Sequence, residues 1–249
     1  LLALKGAMAS GAGSIQAVLD ESIINHLWTI VPEVVFHNSF DCSSNKSLDL
    51  SKCLKKISLD HVDSLLIGPG LGLDDGNWED FSETLEVFEG LLVFDADALN
   101  RLSFSKEGWA WFKKRKGTTW ITPHLKEFSR LFPEIDISCP LKAAELAARN
   151  SGVSVLLKGA HSVIAAPDGS VKQLIDTSDL VARAGLGDLL AGFVAGIGAT
   201  GMASKSELNF DLLAFAALLH AYASSSCEFG TNAGSIAQSL AKLYKEFQH

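Results

Sequence analysis

Runs of four or five apolar residues recur along this chain, and between them the apolar positions fall three or four apart. The first pattern is that of strands buried on both faces, the second that of amphipathic helices. Ser64–Ile67, Leu91–Phe94, Thr118–Ile121 and Val153–Leu157 read as buried strands, preceded by strand-like pieces at Gly13–Leu19 and Val34–His37. Helices are predicted over Leu1–Ala12, Asp20–Ile30, Leu54–Asp60, Asn77–Glu89, Gly108–Lys114, Lys126–Phe132 and Leu141–Asn150, with a polar loop at Asp41–Ser51. Pro167-Asp168-Gly169-Ser170, between Ser162–Ala166 and Val171–Ile175, is a hairpin signal. After Asp188 the pattern is helical: Leu189–Ala199, Leu212–Cys227 and Ser235–Phe247. This alternation predicts an α/β fold, a mostly parallel central sheet with helices on both faces. No linker, repeat or break in composition divides the chain, so residues 1–249 read as one domain.

Composition bears on partners more than on fold. Hydrophobic residues make up 47% and charged residues 20%, which supports a sizeable core. A net charge of −8 argues against nucleic-acid binding, which needs a basic face. It leaves room for a phosphate held locally by backbone N–H groups. Cys42, Cys53, Cys139 and Cys227 are widely spaced, without a C-x-x-C, so no disulfide or metal framework is expected and a reduced, cytoplasmic protein fits. The most apolar stretch, Leu189–Met202, is glycine-rich and reads as too short to span a bilayer, so no membrane partner is expected. The opening Leu-Leu-Ala-Leu-Lys-Gly lacks an initiator Met and a basic leader, and residues are expected to precede it.

Ligands on parallel sheets bind beyond the carboxyl ends of the strands. Four predicted strands end there in residues suited to chemistry. Gly68-Pro69-Gly70-Leu71-Gly72 lets backbone approach a bulky ligand; it is neither G-x-G-x-x-G, since Leu73 follows, nor a Walker A loop. Asp95 and Asp97 can hold Mg²⁺ through water, or one of them caps the next helix; Asn100 binds a polar ligand or its own backbone. His124, in Thr122-Pro123-His124, either forms a capping box with Glu127 or contacts a substrate. Lys158-Gly159-Ala160-His161-Ser162 offers an ammonium for phosphate, with His161 and Ser162 facing a nucleotide. The remaining histidines, His220 among them, read as surface or satisfied core residues.

The sharpest signal is Gly185-Leu186-Gly187-Asp188, just before an apolar helix. Glycines let N–H groups crowd around an anion, and a helix start adds partial positive charge. A carboxylate beside a phosphate is repelled by it and suits a different role, that of taking the proton of a hydroxyl that attacks the phosphorus. The alternative is that Asp188 caps a helix. In the catalytic reading the helix dipole is expected to lower the Asp188 pKa.

In this order, the five motifs resemble the ADP/ATP-dependent NAD(P)H-hydrate dehydratase family, of the three-layer ribokinase-like fold. The resemblance spans nearly the whole chain, with Asp95-Ala96-Asp97-Ala98-Leu99-Asn100 and Thr122-Pro123-His124 its most specific elements. It implies that ADP or ATP, with Mg²⁺, phosphorylates the hydroxyl of hydrated NADH or NADPH, and that loss of phosphate restores the dihydronicotinamide. It implies Asp188 as base, N–H groups of Gly185, Leu186 and Gly187 as anion hole, and Lys158–Ser162 with Gly187 as nucleotide contacts. Gly70, Gly72, Asp97, Asn100, His124 and Asp188 then face the dinucleotide. The family also implies a homotetramer and a fused or separate NAD(P)H-hydrate epimerase. Three departures stand out. Leu186 replaces a family Thr or Ser. Val181–Ala184 lacks the family's glycine-rich approach, although Arg183 can supply positive charge. The family's segment before the first helix, with a Tyr and a Gly-Ala that touch substrate, is absent here. A ribokinase-like small-molecule kinase and a non-catalytic nucleotide-binding relative are the alternative readings.

Overall fold

The computed structural model describes residues 1–39, 54, 57–72, 78–175, 183–204, 208 and 210–247. Its main sheet has six strands in sequence order: β3 (Ser64–Ile67), β4 (Leu91–Phe94), β5 (Thr119–Ile121), β6 (Ser154–Leu157), β7 (Val163–Ala165) and β8 (Val171–Gln173). The first four run parallel, and the β7–β8 hairpin joins antiparallel. The strands ending at Ile67, Phe94, Ile121 and Leu157 are therefore parallel neighbours, as the apolar runs predict. A separate parallel pair, β1 (Gln16–Asp20) and β2 (Val35–Ser39), carries its own small core with Leu27, Val31 and Val34.

Side chains alternate across a strand, so a strand covered on both faces must be apolar at every position. Strand β4 shows this. Leu92 and Phe94 point to one face, where they meet α4 (Ala96–Phe104), α5 (Leu125–Leu131) and α6 (Pro140–Ser151). Leu91 and Val93 point to the other, against α7 (Leu186–Ala203), α8 (Phe210–Ser225) and α9 (Ala233–Glu246). All four are fully buried. The result is a helix–sheet–helix sandwich. On the first face α3 (Trp78–Val87) adds Trp78, whose ring stands edge-on to Trp111 at 5.1 Å.

The amino-terminal helix α1 (Leu2–Ala9) lies against α7 at backbone contact. A Cβ on Gly6 would lie 2.1 Å from the Leu189 carbonyl oxygen, and one on Gly192 would lie 1.8 Å from that of Ala3. The small-residue face of α1 is thus occupied within the protomer.

Several boundaries depart from the sequence reading. Gly108–Lys114 is a 3-10 helix, and the described end of Leu54–Asp60 is a 3-10 turn, Leu59–His61, entered from an extended Ser58. The Asp41–Ser51 loop lies outside the described residues. Helix α7 begins at Leu186, three residues early, and its 18 residues are long and apolar enough to cross a membrane by length and composition. That corrects the expectation that this stretch is too short. Two thirds of the helix is buried, and it packs between α1 and the sheet as a core helix.

Candidate active site

Gly185 is the N-cap of α7, at φ +83, a backbone conformation open to glycine at little cost. Leu186, Gly187 and Asp188 form the first turn, so Asp188 sits at its third position and is not the N-cap. The Leu186 N–H turns back to the Arg183 carbonyl (3.3 Å), and its side chain is buried in the core. Helix geometry leaves the N–H groups of Gly187 and Asp188 without intrahelical acceptors, pointing out of the helix start. Arg183 donates to the carbonyls of Thr231 (3.1 Å) and Glu228 (3.5 Å), which ties it to the loop before α9 and away from an anion.

The Asp188 carboxyl is half-buried, and its pKa lies above the ordinary carboxylate value. Burial is the first cause and the negative charge of Asp95 the second, with the Lys158 ammonium opposing them. This reverses the direction expected from the helix dipole alone. A carboxylate with a raised pKa is the stronger base.

The other strand ends arrive at the same rim. Asp95 follows β4, and Thr122 follows β5 and donates to the Asp95 carboxylate at 2.8 Å. Lys158 follows β6, pairs with His124 in an isolated parallel bridge, and places its ammonium 2.5 Å from Asp95 Oδ1. A Cβ on Gly187 would lie 3.7 Å from that ammonium. Lys158, Asp95 and the α7 turn therefore converge. Gly159 and Ser162 close a tight turn after Lys158 through bonds of 3.3 Å, with Ala160 and His161 exposed at its tip.

The glycine loop is held by α4. Gly72 N–H donates to Asp97 Oδ2 (2.9 Å), and Arg101, itself buried, donates to the Gly72 carbonyl (2.8 Å) and the Leu71 carbonyl (3.0 Å). Asn100 Oδ1 accepts from Arg130 (2.8 Å). Asp97 and Asn100 thus have protein partners at the rim. Gly70, at φ +73, is exposed beside them. His124 closes the capping box: its Nδ1 accepts from the N–H groups of Lys126 and Glu127, and Glu127 accepts from the His124 N–H. An accepting Nδ1 puts the proton on Nε2, which faces Glu127 Oε1 at 3.2 Å.

Sequence reasoning does not single out Arg101, Arg130 or Thr122 as partners in the site. Arg101 leaves one trace, its place four residues after Asp97, which puts both charged side chains on one face of the helix. Cavities of about 380 and 780 Å³ open beside Arg115 and beside Asp63, before the strands begin, and neither reaches the α7 turn.

His220, on α8, is the buried titratable group nearest this turn in chemistry. Its Nε2 has no hydrogen-bond partner, and burial pushes its pKa down to about 4, with the Leu186 backbone favouring and Lys158 opposing the charged form. Between pH 6.5 and 4 the unfolded chain then binds a proton that the folded chain refuses, so stability falls as pH falls through this window. The expected loss from this one group is about 3 kcal/mol. Urea unfolding of wild type and His220→Met at pH 7 and pH 4 measures it, and the pH-dependent loss should be smaller in the variant by about that amount.

Comparison with known proteins places the whole arrangement. The family model described as NAD(P)H-hydrate dehydratase matches residues 1–246. The bifunctional NAD(P)H-hydrate repair enzyme Nnr of Synechocystis sp. is 36% identical over 197 residues, covering 79% of this chain and 36% of the relative. That of Gloeobacter violaceus is 34% identical over 192 residues, covering 77% and 36%. The chain thus spans little more than a third of the length of these relatives. Among solved structures, the Bacillus subtilis ADP/ATP-dependent NAD(P)H-hydrate dehydratase co-crystallised with ATP/Mg²⁺ and soaked with CoA shares the fold, with a TM-score of 0.75, 22% identity, and coverage of 99% of this chain and 86% of that one. Matched by that family model over nearly its whole length, the chain belongs to the NAD(P)H-hydrate dehydratase family.

Proposed function

We propose that this chain dehydrates hydrated NADH or NADPH, using ADP or ATP to phosphorylate the ring hydroxyl. The observation that carries the reading is the placement of Asp188. It is a half-buried carboxylate with a raised proton affinity, in the first turn of a helix whose free N–H groups face the same space. As the hydroxyl oxygen bonds to the terminal phosphorus of the nucleotide, Asp188 accepts the hydroxyl proton and the bond to the leaving nucleotide breaks. The N–H groups of Gly187 and Asp188 meet the charge on the transferred group. Elimination of phosphate, with a proton from the neighbouring ring carbon, restores the ring double bond. Lys158–Ser162 is assigned to the nucleotide. Gly70, Gly72, Asp97, Asn100 and His124 line the dinucleotide side, where Asp97 and Arg101 hold the glycine loop in shape.

Among the described residues no three His, Cys, Asp or Glu side chains converge on a metal cage, and Asp95 is engaged by Lys158. This donor set fits Mg²⁺ that would be carried by the nucleotide phosphates, with Asp97 holding it through water and Asp188 left as the base. When bound, it neutralises phosphate charge. The matched relatives are bifunctional repair enzymes of which this chain covers about a third, which supports a second, partner activity, fused or separate; the family resemblance makes it the NAD(P)H-hydrate epimerase.

The test is direct. Hydrated NADH or NADPH is incubated with Mg²⁺ and ADP or ATP, and recovery of dihydronicotinamide absorbance is followed. Nucleotide-dependent recovery with release of phosphate is expected. A stable phosphate ester without recovery would make the chain a simple kinase, and no reaction with nucleotide still bound would make it a non-catalytic relative.

A further inference from the structure

An aspartate at a helix N-cap ordinarily turns its carboxylate onto the first N–H groups of that helix. Asp95 stands at the N-cap of α4 and makes no such bond. Its carboxylate turns instead across the rim, accepting from Thr122 (2.8 Å) and from the Lys158 ammonium (2.5 Å). Asp95 is 1% exposed, so this is a buried ion pair between two strand ends.

The backbone around it is held with equal care. Among the described residues, Ala96 is the one non-glycine residue at positive φ, +48. Strain of this kind persists where the surroundings over-determine it, and it gathers at functional sites. On the other side, the Asp95 carbonyl oxygen lies where a Cβ of Gly68 would be, 1.7 Å from that position. Asp95 N–H donates to the Ile67 carbonyl (3.1 Å). A strained neighbour and a close glycine approach fix the Asp95 backbone, and its carboxylate, free of the cap bond, is held by Thr122 and Lys158.

We infer that Asp95 is a positioning residue: it holds the Lys158 ammonium against the Gly187 turn. This rests on the reading of Lys158 as the cation that meets the transferred phosphoryl group. A free lysine would follow the nucleotide phosphates through many rotamers. A lysine pinned at the turn meets the charge that develops at the reacting phosphorus, where preorganised charge acts most strongly. Asp95 has a second consequence at Asp188. The side-chain charges acting on Asp188 are those of Asp95 and Asp97 near α4 and Lys158 after β6.

The two roles of Asp95, as anchor and as negative charge, predict a split that a purely structural residue would not give. Asp95→Asn keeps the shape and removes a charge that repels phosphate, so Mg²⁺-nucleotide should bind about 2–10-fold more tightly. Turnover should fall about 10–100-fold, because the ammonium is no longer held. The double variant Asp95→Asn/Lys158→Gln should turn over no more slowly than Lys158→Gln alone, since Asp95 acts through Lys158. Thermal unfolding establishes that each protein is folded; if Asp95→Asn is not, Thr122→Val, which loosens the carboxylate while keeping its charge, should lower turnover without tightening nucleotide binding. Multiplying turnover losses in the double variant would overturn the inference, as would weaker nucleotide binding by folded Asp95→Asn. Calorimetry reads the binding arm without any dinucleotide. Absent turnover in wild type therefore rejects the proposed reaction, while the affinity change still decides whether Asp95 restrains Lys158.

Discussion

Replacing Asp188 with asparagine should lower turnover by roughly two to four orders of magnitude, the range for a lost general base. Asparagine keeps the size, leaves the N–H groups of the α7 turn in place and removes a charge that repels phosphate, so the protein should fold and bind nucleotide no more weakly than wild type. The wild-type pH profile carries the same information. Because burial and Asp95 raise the Asp188 pKa, turnover should fall with pH on an acid limb centred above the ordinary carboxylate range. Below that limb Asp188 is protonated and cannot accept the hydroxyl proton. The comparison requires turnover, nucleotide affinity and thermal unfolding for both proteins. Near-normal turnover in Asp188→Asn would show that the carboxylate only supports a helix end.

The second large effect lies one strand away, at Gly68→Ala. At φ +132 an L residue is strained before any contact is considered, and the new Cβ would meet the Asp95 carbonyl at 1.7 Å. Backbone has to move, and the expected cost is about 2–5 kcal/mol from strain and overpacking together. The displacement falls on the residue that holds Lys158, so turnover of the folded fraction should fall as well. Urea unfolding with a parallel activity measurement separates the two effects. A variant as stable and active as wild type would mean that the strand end tolerates another path, and that Asp95 is not fixed as tightly as described.

The two-sided burial of β4 makes it legible: every residue of Leu91–Phe94 is apolar because both faces are covered. The β1 boundary slips because this pair is only partly covered and its polar positions carry no such constraint. The start of α7 reads three residues late in the sequence because Gly185-Leu186-Gly187 looks like a turn, whereas one glycine in the left-handed region lets the helix begin at once. At the site, local sequence raises the capping box of His124 and Glu127 as one of two readings, since both partners lie within one turn. It cannot give the engagement of Asp95 by Lys158, nor the grip of Arg101 on the glycine loop, because these join residues far apart in the chain. The direction of the Asp188 pKa escapes a sequence reading for the same reason. The helix start is local, whereas the burial and the Asp95 charge that outweigh it come from other elements.

The contact between α1 and α7 bears on the order in which this chain can assemble its candidate site. Gly6 meets Leu189, and Gly192 meets Ala3, so the seat of the candidate-site helix is completed by a helix that lies far upstream in the sequence. Contacts that join distant parts of a sequence close large loops and form late. During synthesis the parallel strands can pair as they emerge, while α1 waits for a partner made after all of them. The site is then assembled in one late docking event, and a truncation or an insertion near α1 should delay that event before it disturbs the sheet.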